Sequence, residues 1–469
     1  MEQKFNNFNN NPYDDNSYEA AIKKLYGLQS NSTYLKLATK NNSQTNNKLF
    51  DTIKYLVRSG ITLEKLDTLS VIHVAGTKGK GSTCAYTEAI LREHGFKTGF
   101  FSSPHLISVR ERIRLNGQPI SEMHFTQNFW KIYKKLEDTR EYESDMPAYF
   151  NFLTLLMFNV FLDEHVDVAI IEVGIGGLYD CTNIVRNPVC VGITSLGLDH
   201  TSLLGNSLED IAYQKSGIFK SGTIAFSVPQ LPQAMCILEK RAIEKNCKLH
   251  IVPSFDEYKW ENISPTLQII NKVQQQNASL AIQMAIEWIQ SKSKISNVLH
   301  NSINNNICCK YKENSQIIVF MDKVAIGLSC CKWPGRMQIL KSSIGDFFLD
   351  GAHTIESIKC CISWFSDVSN KNRGKRFLIF NTSGIKSLDD EVNCFLIDEQ
   401  KIKCEINSKI WGTNSVIVNS VFEVLQDIKN NSEHNQIFEK NQILVTGSLH
   451  LVGTVLTILD PNLTMNTQF

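Results

Sequence analysis

From Ser70 onward, apolar runs of four to eight residues that end in Gly or small polar residues alternate with segments of helical periodicity, and few architectures accept that order. Residues 71–75, 98–101, 166–173, 190–195 and 223–228 read as buried strands. Residues 82–94 read as a helix stopped by Gly95. Strands alternating with helices imply a parallel sheet covered by helices on both faces. A second such series follows Trp333-Pro334-Gly335-Arg336, a turn that reads as a hinge. Its expected strands are 346–349, 376–380, 409–411 and 443–446, and its expected helices 354–365, 418–428 and 448–459. The weakly patterned stretch 292–331 is expected to close the first domain.

The 469 residues suffice for two or three domains at roughly 100–200 residues each. Lys and Arg number 48 against 47 Asp and Glu, which gives no support to nucleic-acid binding or a polybasic membrane anchor. The longest apolar stretch, 149–162, is interrupted by Asn151, Thr154 and Asn159, and is shorter than the roughly 20 residues that span a bilayer. None of the 13 cysteines forms a C-x-x-C pair, so free thiols in a reducing compartment are expected rather than a zinc or redox site. The Asn-rich residues 1–17 read as disordered, and 41–47 as mobile or surface-exposed. The N-terminus has no apolar signal core and carries Glu2, Asp14 and Asp15, which fits a cytoplasmic protein.

The sharpest motif is Gly76-Thr77-Lys78-Gly79-Lys80-Gly81-Ser82, between a buried strand and a helix. Glycines there let the backbone turn its N–H groups toward phosphate, the helix dipole favours negative charge, and Lys80 can reach the β- and γ-phosphates. The alternative is a solvated Gly/Lys turn. Glu172 ends a buried strand, where an acid can hold Mg²⁺ on ATP or form a plain ion pair. His200, in Asp199-His200-Thr201, follows another strand and reads as projecting at the same edge. Asp350 ends a strand of the second series, and Arg336 has the charged fork that suits phosphate.

The loop resembles the variant phosphate loop of the Mur ligase superfamily. Phe101-Ser-Ser-Pro-His-Leu106 followed by Arg110-Glu-Arg-Ile-Arg114 narrows the resemblance to the folylpolyglutamate synthase family, animal type. It implies a Mur-ligase-like P-loop ATPase domain over 18–332, a hinge at 333–336 and a smaller Rossmann-like glutamate ligase domain over 337–469. It also implies ATP contacts at residues 76–82 (Gly76, Thr77, Lys78, Gly79, Lys80, Gly81 and Ser82), Arg336 and Asp350. Two Mg²⁺ ions would be held by Ser102, Glu172, His200 and a carbamylated Lys215, with a monovalent cation such as K⁺ a further candidate. Lys80, Lys215 and His353 would be the catalytic groups.

The implied reaction is ATP-dependent addition of L-glutamate to the γ-carboxylate of tetrahydrofolate and its polyglutamates, by a monomer. A mitochondrial form through an alternative start is implied beside the cytoplasmic one. The alternatives are a bifunctional dihydrofolate and folylpolyglutamate synthase, or a folate-binding homologue without activity. Pro104-His105-Leu106 and the aromatics Tyr149, Phe150 and Phe152 are candidates for the pterin cleft, the aromatics equally for helix core. Two positions depart from the family pattern. Lys386-Ser387 stands in place of an Arg-Asp pair, and Thr454 in place of a Gly.

Overall fold

β1 (Val71–Ala75) is buried at every position, as a strand must be when it has neighbours on both edges and helices on both faces. The computed structural model describes residues 16–28, 47–267, 271–300, 319–369, 374–381, 404–405, 409, 415–418, 420–433 and 440–465. Around β1 run β2 (Thr98–Phe101), β3 (Ile113–Leu115), β4 (Gln118–Pro119), β5 (Val168–Glu172), β6 (Cys190–Ile193), β7 (Ile224–Ser227) and β8 (Lys248–Ile251), in the order β4-β3-β2-β5-β1-β6-β7-β8. The pairs β2–β5, β5–β1, β1–β6 and β6–β7 are parallel, as the alternation predicts. β3 and β4 are antiparallel additions at one edge. They are three and two residues long, too short to show a period in the sequence.

A second sheet holds β9 (Gln338–Lys341), β10 (Asp346–Leu349), β11 (Arg376–Phe380) and β12 (Gln442–Thr446), in the order β11-β12-β10-β9. β10 and β11 pair parallel with β12, and β9 is antiparallel to β10. The expected strand at 409–411 falls largely outside the described residues. So do Lys386, Ser387 and the N-terminal fifteen residues.

By packing, the chain forms two compact units. One takes in the described residues up to Lys78, with Phe96–Phe101 and Ile113–His250; the other holds Gly79–Gly95, Ser102–Arg112 and the described residues from Ile251 onward. In the first, Ala75, Val191 and Ile193 of the large sheet share one core cluster with Val173, Ile218 and Phe219. Helix Tyr149–Asp163 is buried on nearly every side, so Phe152, with no exposed surface, belongs to the core and not to a ligand cleft. It packs on Phe129 and Tyr133, while Phe150 packs on Phe101. Each such buried aromatic contributes about 1.5–3 kcal/mol of apolar burial.

In the second unit, helix Lys80–Glu93 packs on helices Lys272–His300 and Met321–Cys330. Contact is close enough that a Cβ at Gly327 would lie 2.8 Å from the Ile90 Cα. These two helices fill much of the stretch that shows little pattern in the sequence. The small sheet's core includes Phe347, Leu349, Val445, Val452 and Leu456, with Leu106 and Ile107 packed against it. Among the described residues no helix is long and apolar enough to cross a membrane, and the cysteines are free thiols.

Candidate active site

β1 ends at Ala75 and helix Lys80–Glu93 begins four residues after Gly76, so residues 76–79 form the strand-to-helix turn that the sequence predicts. In the first unit, this turn is stitched to the segment that follows β6. Ser195 O accepts from Thr77 N at 2.9 Å and Lys78 N at 3.2 Å, and Thr77 Oγ1 donates to Gly197 O at 3.1 Å. Gly76 has φ +150°, and a Cβ there would lie 1.7 Å from Thr194 Oγ1, so only glycine lets the strands approach. Lys215, 3% exposed at the end of helix Leu208–Lys215, donates from Nζ to Gly76 O at 2.8 Å. The structure thus brings Lys215 to the phosphate loop across 139 residues of chain.

Lys78 has a partner in the folded chain. Its Nζ lies 3.0 Å from Asp199 Oδ2. Burial pushes the Asp199 carboxyl up, but the Lys78 ammonium and a bond from the His200 N–H outweigh it and hold it below its usual range. Both side chains are part-exposed, so the pair is worth about 1 kcal/mol. A carboxyl depressed on folding stabilises above the unfolded value of 3.8 and loses that contribution as pH falls through its folded value. Asp199→Asn is therefore expected to lower unfolding free energy by about 1 kcal/mol at neutral pH. Urea titrations should show the difference closing below pH 3.8.

His200 belongs to the segment that follows β6 and stands next to Asp199, the partner of Lys78. It lies seven residues beyond that strand, in a left-handed conformation (φ 51°) that starts the short helix Thr201–Leu204. Glu172 does end β5, 4% exposed and in register with Val74 two residues before the turn. The glycine-rich run behind it packs on the Lys215 segment: a Cβ at Gly177 would meet Lys215 O at 2.8 Å, and Leu178 N donates to Gln214 O at 2.8 Å.

Buried Asp180, absent from the sequence reading, anchors that run by accepting from Ile175 N, Thr182 N and Thr182 Oγ1. Burial raises its carboxyl despite those bonds. Because the Thr182 hydroxyl is spent on Asp180, its oxygen accepts from His73 Nε2 at 2.9 Å. Burial, with Lys220 nearby, drops the His73 ring to about 3, so it is neutral.

In the second unit, Gly79 (φ +89°) starts helix Lys80–Glu93 with no side-chain cap and no acid in its first turn. An uncapped N-terminus leaves backbone N–H groups that favour an anion. Asn277, 2% exposed on helix Lys272–His300, stands so close that a Cβ on Gly79 would lie 2.3 Å from its Oδ1. No motif marks this asparagine in the sequence; only helix packing brings it to the loop.

Ser102 is 3% exposed and its N–H donates to Arg112 O at 3.0 Å, whereas Ser103 is half-buried. Glu111 folds the next residues into a tight turn, accepting from the N–H groups of Leu106, Ile107 and Ser108. Arg112 Nε donates to His105 Nδ1 at 2.9 Å, which puts the ring proton on Nε2. Burial and then Arg112 drop this ring to about 3. Gly453 touches the same turn, since a Cβ there would lie 2.1 Å from Leu106 O. Neighbouring Thr454 is exposed and bonds its own helix at His450 O, which explains why a side chain is accepted there.

Asp350 ends β10 nearly, one residue past Leu349, and is 8% exposed. Its two oxygens accept from Met337 N and Ala352 N, each at 2.9 Å. Burial raises its carboxyl, opposed chiefly by Arg336. His353 Nδ1 lies 2.9 Å from Gly351 O; a carbonyl only accepts, so Nδ1 carries the proton.

The Mur ligase middle domain family matches residues 74–304. A Bos taurus protein named "Folylpolyglutamate synthase, mitochondrial" is 45% identical over 383 residues, 79% of this chain and 64% of its own length. A Cricetulus griseus protein of the same name is 35% identical over 552 aligned positions, 95% of this chain and 92% of its own length. The chain belongs to the folylpolyglutamate synthase family. The match spans less than two thirds of the bovine relative. A solved FPGS–AMPPCP–folate complex shares the fold with a TM-score of 0.66 at 22% identity, covering 94% of this chain and 98% of its own. The fold is that of the Mur ligases, a large, mainly parallel sheet with a second, smaller sheet.

Proposed function

We propose that the chain is an ATP-dependent ligase that adds L-glutamate to the γ-carboxylate of tetrahydrofolate and its polyglutamates. The observation that carries this is the phosphate loop with Lys215 bonded to its first glycine. The names of the relatives and the AMPPCP–folate complex of the structural neighbour support it. The large sheet's strands all precede residue 332 and β9–β12 follow 336, which supports an ATP-binding domain over 18–332 and a ligase domain over 337–469.

A free carboxylate is a poor electrophile. Its oxygen attacks the γ-phosphorus of ATP, ADP leaves, and an acyl phosphate forms. The glutamate amine then attacks the acyl carbon, phosphate leaves with the C–O bond, and the nitrogen gives up a proton. The N-terminus of helix Lys80–Glu93 and the Lys80 ammonium would stabilise charge on the transferring phosphoryl group. Arg336 and Asn277 would orient the nucleotide, and Lys78, tied to Asp199, would hold the loop's shape. His353, with its lone pair on Nε2, would take or hold the amine proton.

Among the described residues no group of three or more His, Cys, Asp or Glu forms a metal cage. Mg²⁺ suits such a site, because it keeps several waters and takes one or two carboxylates plus phosphate oxygens. Ser102, Glu172, His200 and a carbamylated Lys215 would hold it. When bound, Mg²⁺ would neutralise phosphate charge. The mitochondrial names of relatives support a mitochondrial form beside a cytoplasmic one.

One assay tests the substrate reading: purified protein with ATP, Mg²⁺ and radiolabelled glutamate, given tetrahydrofolate or dihydropteroate. Labelled product is expected with tetrahydrofolate alone. Efficient use of dihydropteroate would establish the bifunctional alternative, and no product with either would favour an inactive folate binder.

A further inference from the structure

The link between the sheets reads as a hinge in the sequence, yet its backbone is unusual. Gly335 has φ +73° and Met337 has φ +43°, so a non-glycine residue sits in the left-handed region within three residues of a glycine that also does. Strained residues of this kind persist where their surroundings over-determine them. Here two buried side chains do so. Gln338, 2% exposed at the start of β9, accepts from Gly335 N at 2.8 Å through Oε1. Asp350 accepts from Met337 N at 2.9 Å. Arg336, between the two clamped residues, lies with Nη1 against Gly351, where an added Cβ would approach it to 3.1 Å.

The Gln338 amide carries a further oddity. Its Nε2 is buried and has no hydrogen-bond partner among the described residues. A buried, unpaired amide donor is unfavourable, and each one in a native structure calls for an explanation. The oxygen supplies it: at this position the Gly335 N–H needs an acceptor of glutamine's length.

We propose that Gln338 is a positioning residue for Arg336: by capping the Gly335 N–H it locks the 335–337 turn and presets the guanidinium for the nucleotide. The link is then a rigid mount at this point and not a free hinge. The inference rests on the nucleotide role proposed above for Arg336. It places in that machinery a residue that acts only through its neighbour.

The test is a double-mutant cycle on the full chain, with AMPPCP binding in Mg²⁺ measured by calorimetry and thermal unfolding recorded beside it. Gln338→Met keeps the side-chain length and removes the acceptor. It is expected to weaken binding about 10-fold, and Arg336→Ala at least as much. The double variant is expected to bind like Arg336→Ala, because Gln338 acts only through the arginine. Should the Met variant not fold, Gln338→Ala, which leaves room for water at the Gly335 N–H, carries the same cycle. A Gln338 variant that binds as wild type, or losses that multiply in the double variant, would overturn the proposal. If Arg336→Ala alone binds normally, the nucleotide role of Arg336 falls and the proposal with it. If the wild-type chain fails to bind AMPPCP, the ligase reading itself fails.

Discussion

Lys80→Ala is expected to cut glutamate ligation on the order of 100–1000-fold, the scale of losing one electrostatic contact to a transferring group. The fold should survive, because Lys80 opens helix Lys80–Glu93 and alanine is the best helix former at such a position. Lys78→Ala serves as the internal comparison. Its ammonium is already paired with Asp199 at 3.0 Å, so its loss should lower turnover by no more than about 10-fold. Turnover with radiolabelled glutamate and a melting curve on each variant check both statements. Near-normal turnover in Lys80→Ala, or equal losses in the two variants, would remove Lys80 from the transferring phosphate.

Lys215→Ala is expected to be nearly inactive, with a loss on the order of 1000-fold. The side chain is buried and holds the Gly76 carbonyl at 2.8 Å, so truncation deprives the loop of that donor. It also removes the amine that would take up carbon dioxide. Carbamylation joins the neutral amine to carbon dioxide, releases one proton and leaves one N–H on Nζ. The bond to Gly76 O can therefore persist in the carbamate. Lys215→Arg should fail as well, because a guanidinium stays protonated. A short carboxylic acid should partly restore Lys215→Ala by supplying the missing anion. The direct readout is a carbamate signal from protein equilibrated with ¹³C-labelled carbon dioxide, absent in Lys215→Arg. An active alanine variant without any such signal in wild type would end the idea.

Much of this protein is written in its local sequence. The central strands of both sheets fall where apolar runs end in small residues, because a strand buried on both faces must be apolar at consecutive positions. The phosphate loop is legible for a similar reason: only glycine allows the backbone angles at Gly76 and Gly79, and those glycines stand three positions apart in the chain.

What the sequence leaves open depends on partners far away along it. Lys78 meets Asp199 across 121 residues, and no periodicity encodes which ion finds which. Asn277 reaches Gly79 only because helix Lys272–His300 packs on helix Lys80–Glu93. Phe152 reads equally as cleft or core until helix Tyr149–Asp163 is seen to be enclosed. The Pro334-Gly335 turn reads as flexible because its clamps, Gln338 and Asp350, are ordinary residues whose side-chain bonds exist only in the folded chain. Local backbone preference and apolar burial set the elements. Hydrogen bonds and ion pairs between groups that only folding brings within 3 Å or so decide what the site's side chains can do.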